Sequence, residues 1–428
     1  MECILQVALD FLNLSRAMKV AEEASSAGDV WLEAGTPLIK SEGLEAVRAL
    51  RKAFPKAVLV ADMKIMDTGR IETEMAAKSG ANWVVVMGSA SDATIKECIE
   101  AGRNYGAKVE VDLLEVSDPV ARAKEVESWG ADGVGVHLPI DQQMEGGEFL
   151  SLVRSVAGSV SIPVAVAGGI NSETIVDAIE AGARVVIVGG AITKATDARK
   201  ATEDLLCAMK TQTRVPTELF KRVDLSQIRD VFHRVSAANV ADAMHRFGYL
   251  PGLSCVTPGV KLVGPVVTVR TAPGDWAKPV EAIECCQEGD VIAVDAGGVP
   301  PAVWGELATH SCQQKGLAGV VIDGALRDAE DIRKLGFPAF SRHIAPVAGE
   351  PKGFGEIGAP VTLCGVKVQP GDWMVGDSDG VVHIPREKLV GVANRAQGVL
   401  ELENRLRREI RDGSTLSEVM ELLRWEKK

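Results

Sequence analysis

Asp62, Lys64 and Asp67 lie together in the stretch Ala61-Asp-Met-Lys-Ile-Met-Asp67. A carboxylate, an ammonium and a second carboxylate at this spacing could bind a metal, polarise a carbonyl and move a proton. The preceding run, Ala57-Val-Leu-Val60, is short, β-branched and uninterrupted, as a buried parallel strand requires. If that strand continues, Asp62 and Lys64 project from one face, because side chains alternate along a strand. So short a pattern recurs by chance, and a surface ion pair on a loop has the same sequence. The elements around it decide between the two.

Apolar strand candidates recur at 3–9, 30–32, 57–61, 83–87, 109–113, 133–136, 163–166 and 185–188. Amphipathic segments of helical period separate them, such as Leu44–Leu50 and Thr174–Ile179. Eight β-α units in the first 210 residues predict a (β/α)8 barrel. An open doubly wound sheet is the alternative, but its GxGxxG turn is absent.

Chemistry in such a barrel belongs to the C-terminal ends of the strands. Those ends carry Asp10, Glu33, Asp62 with Lys64 and Asp67, Asp112, His137, then Gly168-Gly169 and Gly189-Gly190. Glycine pairs ahead of a helix let backbone N–H groups close on a phosphate. Glu33 and Asp62 are hard oxygen donors of the kind Mg2+ prefers. Beside such a metal Lys64 can stabilise an enediolate, and His137 is placed for proton transfer. Taken singly, Asp10 and Asp112 read equally as helix caps, His137 as a structural histidine and the glycines as turns. Their gathering on one face is what favours a site.

Composition bounds the partners. The chain has 428 residues, 46% hydrophobic and 25% charged, which predicts a globular protein of two or three domains. A formal net charge of −12 argues against nucleic-acid binding, and no apolar run is long enough for a membrane span. The eight cysteines form no CxxC pair, and no signal peptide is evident, so reduced thiols in a cytoplasmic protein are expected.

The polar stretch Thr211–Thr217 breaks the cadence and is expected as a linker between a barrel over 1–210 and a second domain over 218–428. That second half reads as helices at 225–234 and 237–247, then short strands between Gly and Pro, then a long amphipathic segment over 387–411. Two places could carry chemistry. Gly297 and Gly298 follow an apolar strand and could offer backbone donors to an anion. Arg327 and Asp328 follow another: the first could grip a carboxylate and the second a divalent metal, or the two could form a solvated pair.

The stretches Val7–Asp10, Glu33–Ile39, Ala61–Asp67, Val111–Leu113, Ala165–Ile170 and Gly189–Ile192 closely resemble the 3-hexulose-6-phosphate synthases of the orotidine-monophosphate-decarboxylase superfamily. The resemblance implies reversible, Mg2+-dependent (or Mn2+-dependent) aldol addition of formaldehyde to D-ribulose 5-phosphate. It implies that Glu33 and Asp62 bind the metal, Lys64 and Asp67 stabilise the enediolate, and His137 assists proton transfer. Asp10, Asp112 and the four glycines would hold the sugar phosphate. It further implies a dimer in which the Asp67 loop reaches into the neighbour. The sister 3-keto-gulonate-6-phosphate decarboxylases are the alternative, but they carry Arg where this chain has Gly190. The family also carries small residues after His137, where this chain has Leu-Pro.

Gly289–Gly298, Trp304–Glu306, Gly319–Asp328 and Gly376–Pro385 resemble the RraA-like family, which includes 4-hydroxy-4-methyl-2-oxoglutarate aldolases. This implies a β/β/α swivelling domain that forms trimers, with Arg327 holding an oxo-acid carboxylate and Asp328 a metal. Glu306 completes that site where the aldolases have Asp. A ribonuclease-regulator-like binding module and an oligomerisation domain are the alternatives. Two-fold and three-fold contacts in one chain imply a homo-oligomer of six or more copies.

Overall fold

Strands β1 (Ile4–Leu9), β2 (Trp31–Ala34), β3 (Leu59–Ile65), β4 (Trp83–Met87), β5 (Lys108–Asp112), β6 (Gly133–His137), β7 (Val164–Ala167) and β8 (Val185–Val188) form a closed parallel barrel in sequential order. Closure is made by β1 against β8, with Ile4 opposite Val185 and Val7 opposite Val188. The structure, a computed structural model, describes residues 3–137 and 149–420. Residues 138 and 139, the Leu-Pro after His137, fall outside them.

The barrel follows from a period-two division of its strands. Leu5, Val7 and Leu9 of β1, Val84 and Val86 of β4, and Val109 and Val111 of β5 are buried in the main apolar cluster with the surrounding helices. The alternate residues, Gln6 and Ala8 of β1, Val85 of β4, and Glu110 and Asp112 of β5, line the interior instead. Within it Val60, Trp83 and Val85 form a small separate cluster against Trp31, whose ring lies 5.5 Å from that of Trp83. The strands match the expected segments to within about two residues, except at the C-terminal end of β3. β3 continues through Asp62 and Lys64 to Ile65, and its register against β4 shifts between Ala61 and Ile65. Lys64 sits at φ 46°, in the left-handed region that L residues seldom occupy. The irregularity re-aims its side chain.

The chain divides into two compact units, one running through Arg222 and resuming at Glu401, the other Val223–Leu400. The linker expected over 211–217 therefore belongs to the first unit. Val215 N–H donates to Ser172 O (3.1 Å), Ser172 Oγ to Val215 O (2.8 Å) and Thr217 N–H to Glu173 Oε1 (2.9 Å). The helix Leu389–Arg411 starts in the second unit and ends in the first. Its Arg405, only 3% exposed, pairs with Glu23 (2.9 Å) and Glu409 (2.8 Å), because a guanidinium so buried needs carboxylate partners. The second domain expected over 218–428 thus yields its end, from Glu401, to the barrel unit.

The second unit is built on a mixed sheet. Its strands are β9 (Ser254–Cys255), β10 (Leu262–Arg270), β11 (Val291–Asp295), β12 (Gly319–Leu326), β13 (Ala339–Ile344), β14 (Glu356–Ile357), β15 (Val361–Leu363), β16 (Val366–Val368), β17 (Trp373–Asp377) and β18 (Gly380–Ile384). The order is β18-β17-β10-β11-β12-β13-β9, with β14 also on β10 and β15-β16 as a separate hairpin. β10 to β13 are parallel, and β17, β18 and β9 run antiparallel to their neighbours. The motif Gly376–Pro385 serves the fold here: His383 Nε2 meets buried Asp372 Oδ2 at 2.7 Å, and Asp377 Oδ2 accepts Ala237 N–H at 2.8 Å. Among the described residues no helix is long and apolar enough to cross a membrane.

Candidate active site

The inward side chains at the C-terminal ends of the barrel strands enclose a cavity of about 640 Å3. Asp10, Glu33, Asp62, Lys64, Asp112 and His137 all line it, together with Gly168, Gly169, Gly189 and Gly190. The strand-end residues singled out in the sequence converge, with one exception. Asp67 is exposed, its Oδ1 accepts Thr68 N–H of its own turn (2.7 Å), and it stands apart from the cavity lining.

Lys64 is the centre of the charge network. Its Nζ lies 3.0 Å from Asp112 Oδ2 and 3.2 Å from Asp62 Oδ2. Burial works to lower its pKa, but Asp62 and Asp112 outweigh burial and hold the ammonium well above its ordinary range. Asp112 is opposed by burial too, yet His137 and Lys64 bring its carboxyl below the usual value. Its Oδ1 accepts Leu114 N–H (2.9 Å), and its Oδ2 lies 3.4 Å from His137 Nδ1. This contact orients the imidazole toward the cavity, a role the alternative of Asp112 as a helix cap did not supply.

The other carboxylates crowd one another. Burial first, then Asp62 and Asp10, push Glu33 well up, while a 2.6 Å hydrogen bond from Gln6 Nε2 to Glu33 Oε2 works the other way. Enclosure and the charge of Asp62 raise Asp10 as well. Thr36 Oγ1 contacts Asp62 Oδ2 at 2.7 Å, whereas Asp62 Oδ1 is buried with no hydrogen-bond partner. Mutually repelling carboxylates and an orphaned buried oxygen suit a divalent cation at Glu33 and Asp62. Among the described residues no three His, Cys, Asp or Glu side chains form a metal-holding group. Mg2+ needs none, since it commonly takes one or two carboxylates with water and substrate oxygens.

The glycine turns bring backbone to the cavity wall. Gly168 (φ 128°) and Gly169 (φ 66°) adopt positive φ after β7, and Gly189 precedes a single helical turn, Gly190–Thr193. Both turns face the cavity, as an anion-binding role requires.

Sequence reasoning missed Gln6, Glu110, Lys194, Phe220 and Arg222, all of which line the cavity. Glu110 is fully enclosed, and burial, then Asp112 and Asp62, push its carboxyl up to about 8. Its signal was available: a glutamate two residues before Asp112 in an apolar strand shares the inward face.

In the second unit, Arg327, Asp328 and Glu306 come together at the ends of β12 and the helix Glu306–Gln314. Arg327 Nε lies 3.5 Å from Asp328 Oδ2, which also accepts Glu306 N–H at 3.2 Å. The Glu306 carboxylate turns to His310 Nε2 (2.9 Å) instead of joining Asp328. Asp328 is at φ 58° and heads the helix Ala329–Leu335. Gly297 and Gly298 form part of a different cluster. Gly298 N–H donates to Asp323 O (3.0 Å), its carbonyl accepts from His343 Nε2 (3.0 Å), and Arg342 Nε bonds Asp323 Oδ1 (2.6 Å).

Comparison with known proteins agrees with both halves. Residues 4–205 match the model of the orotidine 5'-phosphate decarboxylase / HUMPS family, and residues 237–383 match the Aldolase/RraA model. The chain is 39% identical to 3-hexulose-6-phosphate synthase of Mycobacterium gastri over 48% of this chain and 99% of that protein. It is likewise 39% identical to the Bacillus subtilis synthase, over 45% of this chain and 92% of that protein. A bifunctional enzyme Fae/Hps of Methanosphaerula palustris is 38% identical over 47% of this chain and 51% of its own length. The chain belongs, through its barrel, to the 3-hexulose-6-phosphate synthase family, and carries an RraA-like domain after it.

Proposed function

We propose that the barrel joins formaldehyde to D-ribulose 5-phosphate, giving D-arabino-hex-3-ulose 6-phosphate, with Mg2+ or Mn2+ held by Glu33 and Asp62. The observation that carries this reading is the Lys64 ammonium, fixed between Asp62 and Asp112 in a cavity that also contains two glycine turns. When bound, the cation would polarise the substrate carbonyl and make the enediolate less costly. The glycine turns take the phosphate and so orient the keto end of the sugar. Lys64 then places a permanent positive charge beside the oxygen that becomes negative when the C1 proton leaves. His137, oriented by Asp112, takes that proton and returns one to the alkoxide formed when C1 bonds to the formaldehyde carbon. Asp10, at the mouth, bonds the sugar hydroxyls. The decarboxylase alternative calls for an arginine at 190, where this chain has a glycine covered by Phe220.

The test is direct. The purified chain with formaldehyde, ribulose 5-phosphate and Mg2+ should form the hexulose phosphate, and chelator should stop it. Asp62→Asn should abolish turnover and weaken Mg2+ binding in a calorimetric titration of the protein alone. Product formation unaffected by chelator would refute the metal, and absence of product would refute the reaction.

For the second half we propose a metal-dependent oxo-acid lyase, with Arg327 on the substrate carboxylate and Asp328 toward the metal. Its support is the pairing of the two side chains with the backbone of Glu306. The eight free cysteines support a reducing, cytoplasmic setting.

A further inference from the structure

One wall of the barrel cavity comes from outside the barrel. Phe220 and Arg222 lie beyond the family-matched region, which ends at 205, yet both line the cavity. The segment carrying them is fastened to the turn after β7. Asn171 Nδ2 donates to the carbonyls of Leu219 (3.3 Å) and Phe220 (3.4 Å), and Lys221 Nζ lies 3.3 Å from Glu173 Oε1. Phe220 N–H donates to Glu401 Oε1 at 2.7 Å. These bonds place the Phe220 ring directly against Gly190, where any Cβ would overlap it. Glycine is needed there for close approach rather than for its φ.

Two cations gather around that ring. Arg222 Cζ is 4.0 Å and Lys194 Nζ 5.3 Å from its centroid. Both are largely withdrawn from water, and burial lowers the pKa of each while Glu401 works against it. Arg222 Nε is buried without a hydrogen-bond partner. A guanidinium donor left so at a cavity, beside the Lys194 ammonium and the Gly189-Gly190 turn, is matched by an anion with several acceptor oxygens.

We propose that the post-barrel segment completes the binding site, with Arg222 and Lys194 receiving the dianionic phosphate of a sugar phosphate seated at the glycine turns. This rests on the sugar-phosphate reading of the barrel and deepens it. The phosphate subsite is then built partly by residues that a free-standing barrel of 210 residues would lack.

The test uses the full chain with two probes, ribulose 5-phosphate and inorganic phosphate. Arg222→Gln should raise the Kd and KM for ribulose 5-phosphate by about 10- to 100-fold, as expected for a lost charge-assisted bond, and change kcat by less than about threefold. Arg222→Lys should recover part of the loss, and unphosphorylated ribulose should bind wild type and variant alike. Unchanged binding by a folded Arg222→Gln variant would overturn the proposal and leave the synthase reading intact. If the wild type instead makes no product, that reading fails, and inorganic phosphate decides the proposal separately. Weaker phosphate binding by the variant sustains it; equal or absent binding overturns it. Should Arg222→Gln fail to fold, Lys194→Gln carries the same measurements.

Discussion

The ammonium of Lys64 is 3.0 Å from Asp112 Oδ2, and that same oxygen is 3.4 Å from His137 Nδ1. One carboxylate thus holds both the ammonium and the imidazole, the two groups to which the proposed reaction gives charge stabilisation and proton transfer. Lys64→Ala should lower kcat by about 10²–10³-fold, the usual cost of removing a preorganised electrostatic donor. Lys64→Arg should restore little, because a planar fork does not replace a point charge in this space. Asp112→Asn should reduce kcat by about tenfold or more, since the imidazole and the ammonium both lose their charged partner. Steady-state kinetics with thermal melts separates these outcomes from unfolding, and wild-type kcat in Lys64→Ala would refute the assignment.

Glu110 gives a stability prediction with a definite sign. Its carboxyl is at about 8 in the fold, against an ordinary value near 4.5. Between those values the folded state holds a proton that the unfolded chain has released. Stability from this group is therefore complete below about pH 4.5, falls as pH rises toward 8, and levels off above it. Glu110→Gln keeps a neutral side chain of the same shape and removes the slope. In metal-free buffer its Tm should gain on wild type between pH 5 and 8, by about 4 °C or more. Parallel Tm curves for the two proteins would show that Glu110 does not carry the shift.

What was legible in the sequence follows from locality. The barrel showed because strand, turn and helix each leave a short-range signature, and the site showed because barrel geometry assigns function to strand ends. Lys64 at φ 46° did not show, since a β-bulge depends on how β3 meets β4. Nor did Phe220 and Arg222, which reach the cavity only because Asn171 and Glu401 draw their segment back. The long amphipathic segment read over 387–411 is a helix from Leu389 to Arg411, preceded by the 3-10 turn Arg386–Lys388. Its end joins the barrel unit through Arg405 and Glu23, a pairing 382 positions apart in the chain that no local pattern encodes.

Assembly is testable from the surface beside the site. Met66 (53% exposed), Ile71 (50%) and Met75 (49%) flank the exposed Asp67 turn and present apolar side chains to solvent. Through the resemblance of the barrel to its superfamily, this is the face expected to meet a second copy and to carry Asp67 into the neighbouring cavity. Light scattering should show an oligomer of six or more copies if the RraA-like domain also makes its three-fold contacts. Met75→Lys with Ile71→Lys should break the two-fold contact and lower turnover together with mass. A monomeric wild type at micromolar concentration would refute the assembly.

The last prediction concerns whether the two candidate sites act separately. Every described residue lining the barrel cavity lies at or before Arg222, while Arg327, Asp328 and Glu306 belong to the other compact unit. Arg327→Ala should remove any oxo-acid lyase activity and leave hexulose-phosphate synthesis within about twofold, as for sites with no shared partners. Lys64→Ala should do the reverse. Arg327 is 46% exposed in its side chain, so its pairing with Asp328 contributes little to stability and the variant should melt close to wild type. That makes the comparison clean: a change in turnover reports on chemistry rather than folding. Kinetics of both variants on both reactions decides the matter, and loss of barrel turnover in a fully folded Arg327→Ala protein would show the sites to be coupled.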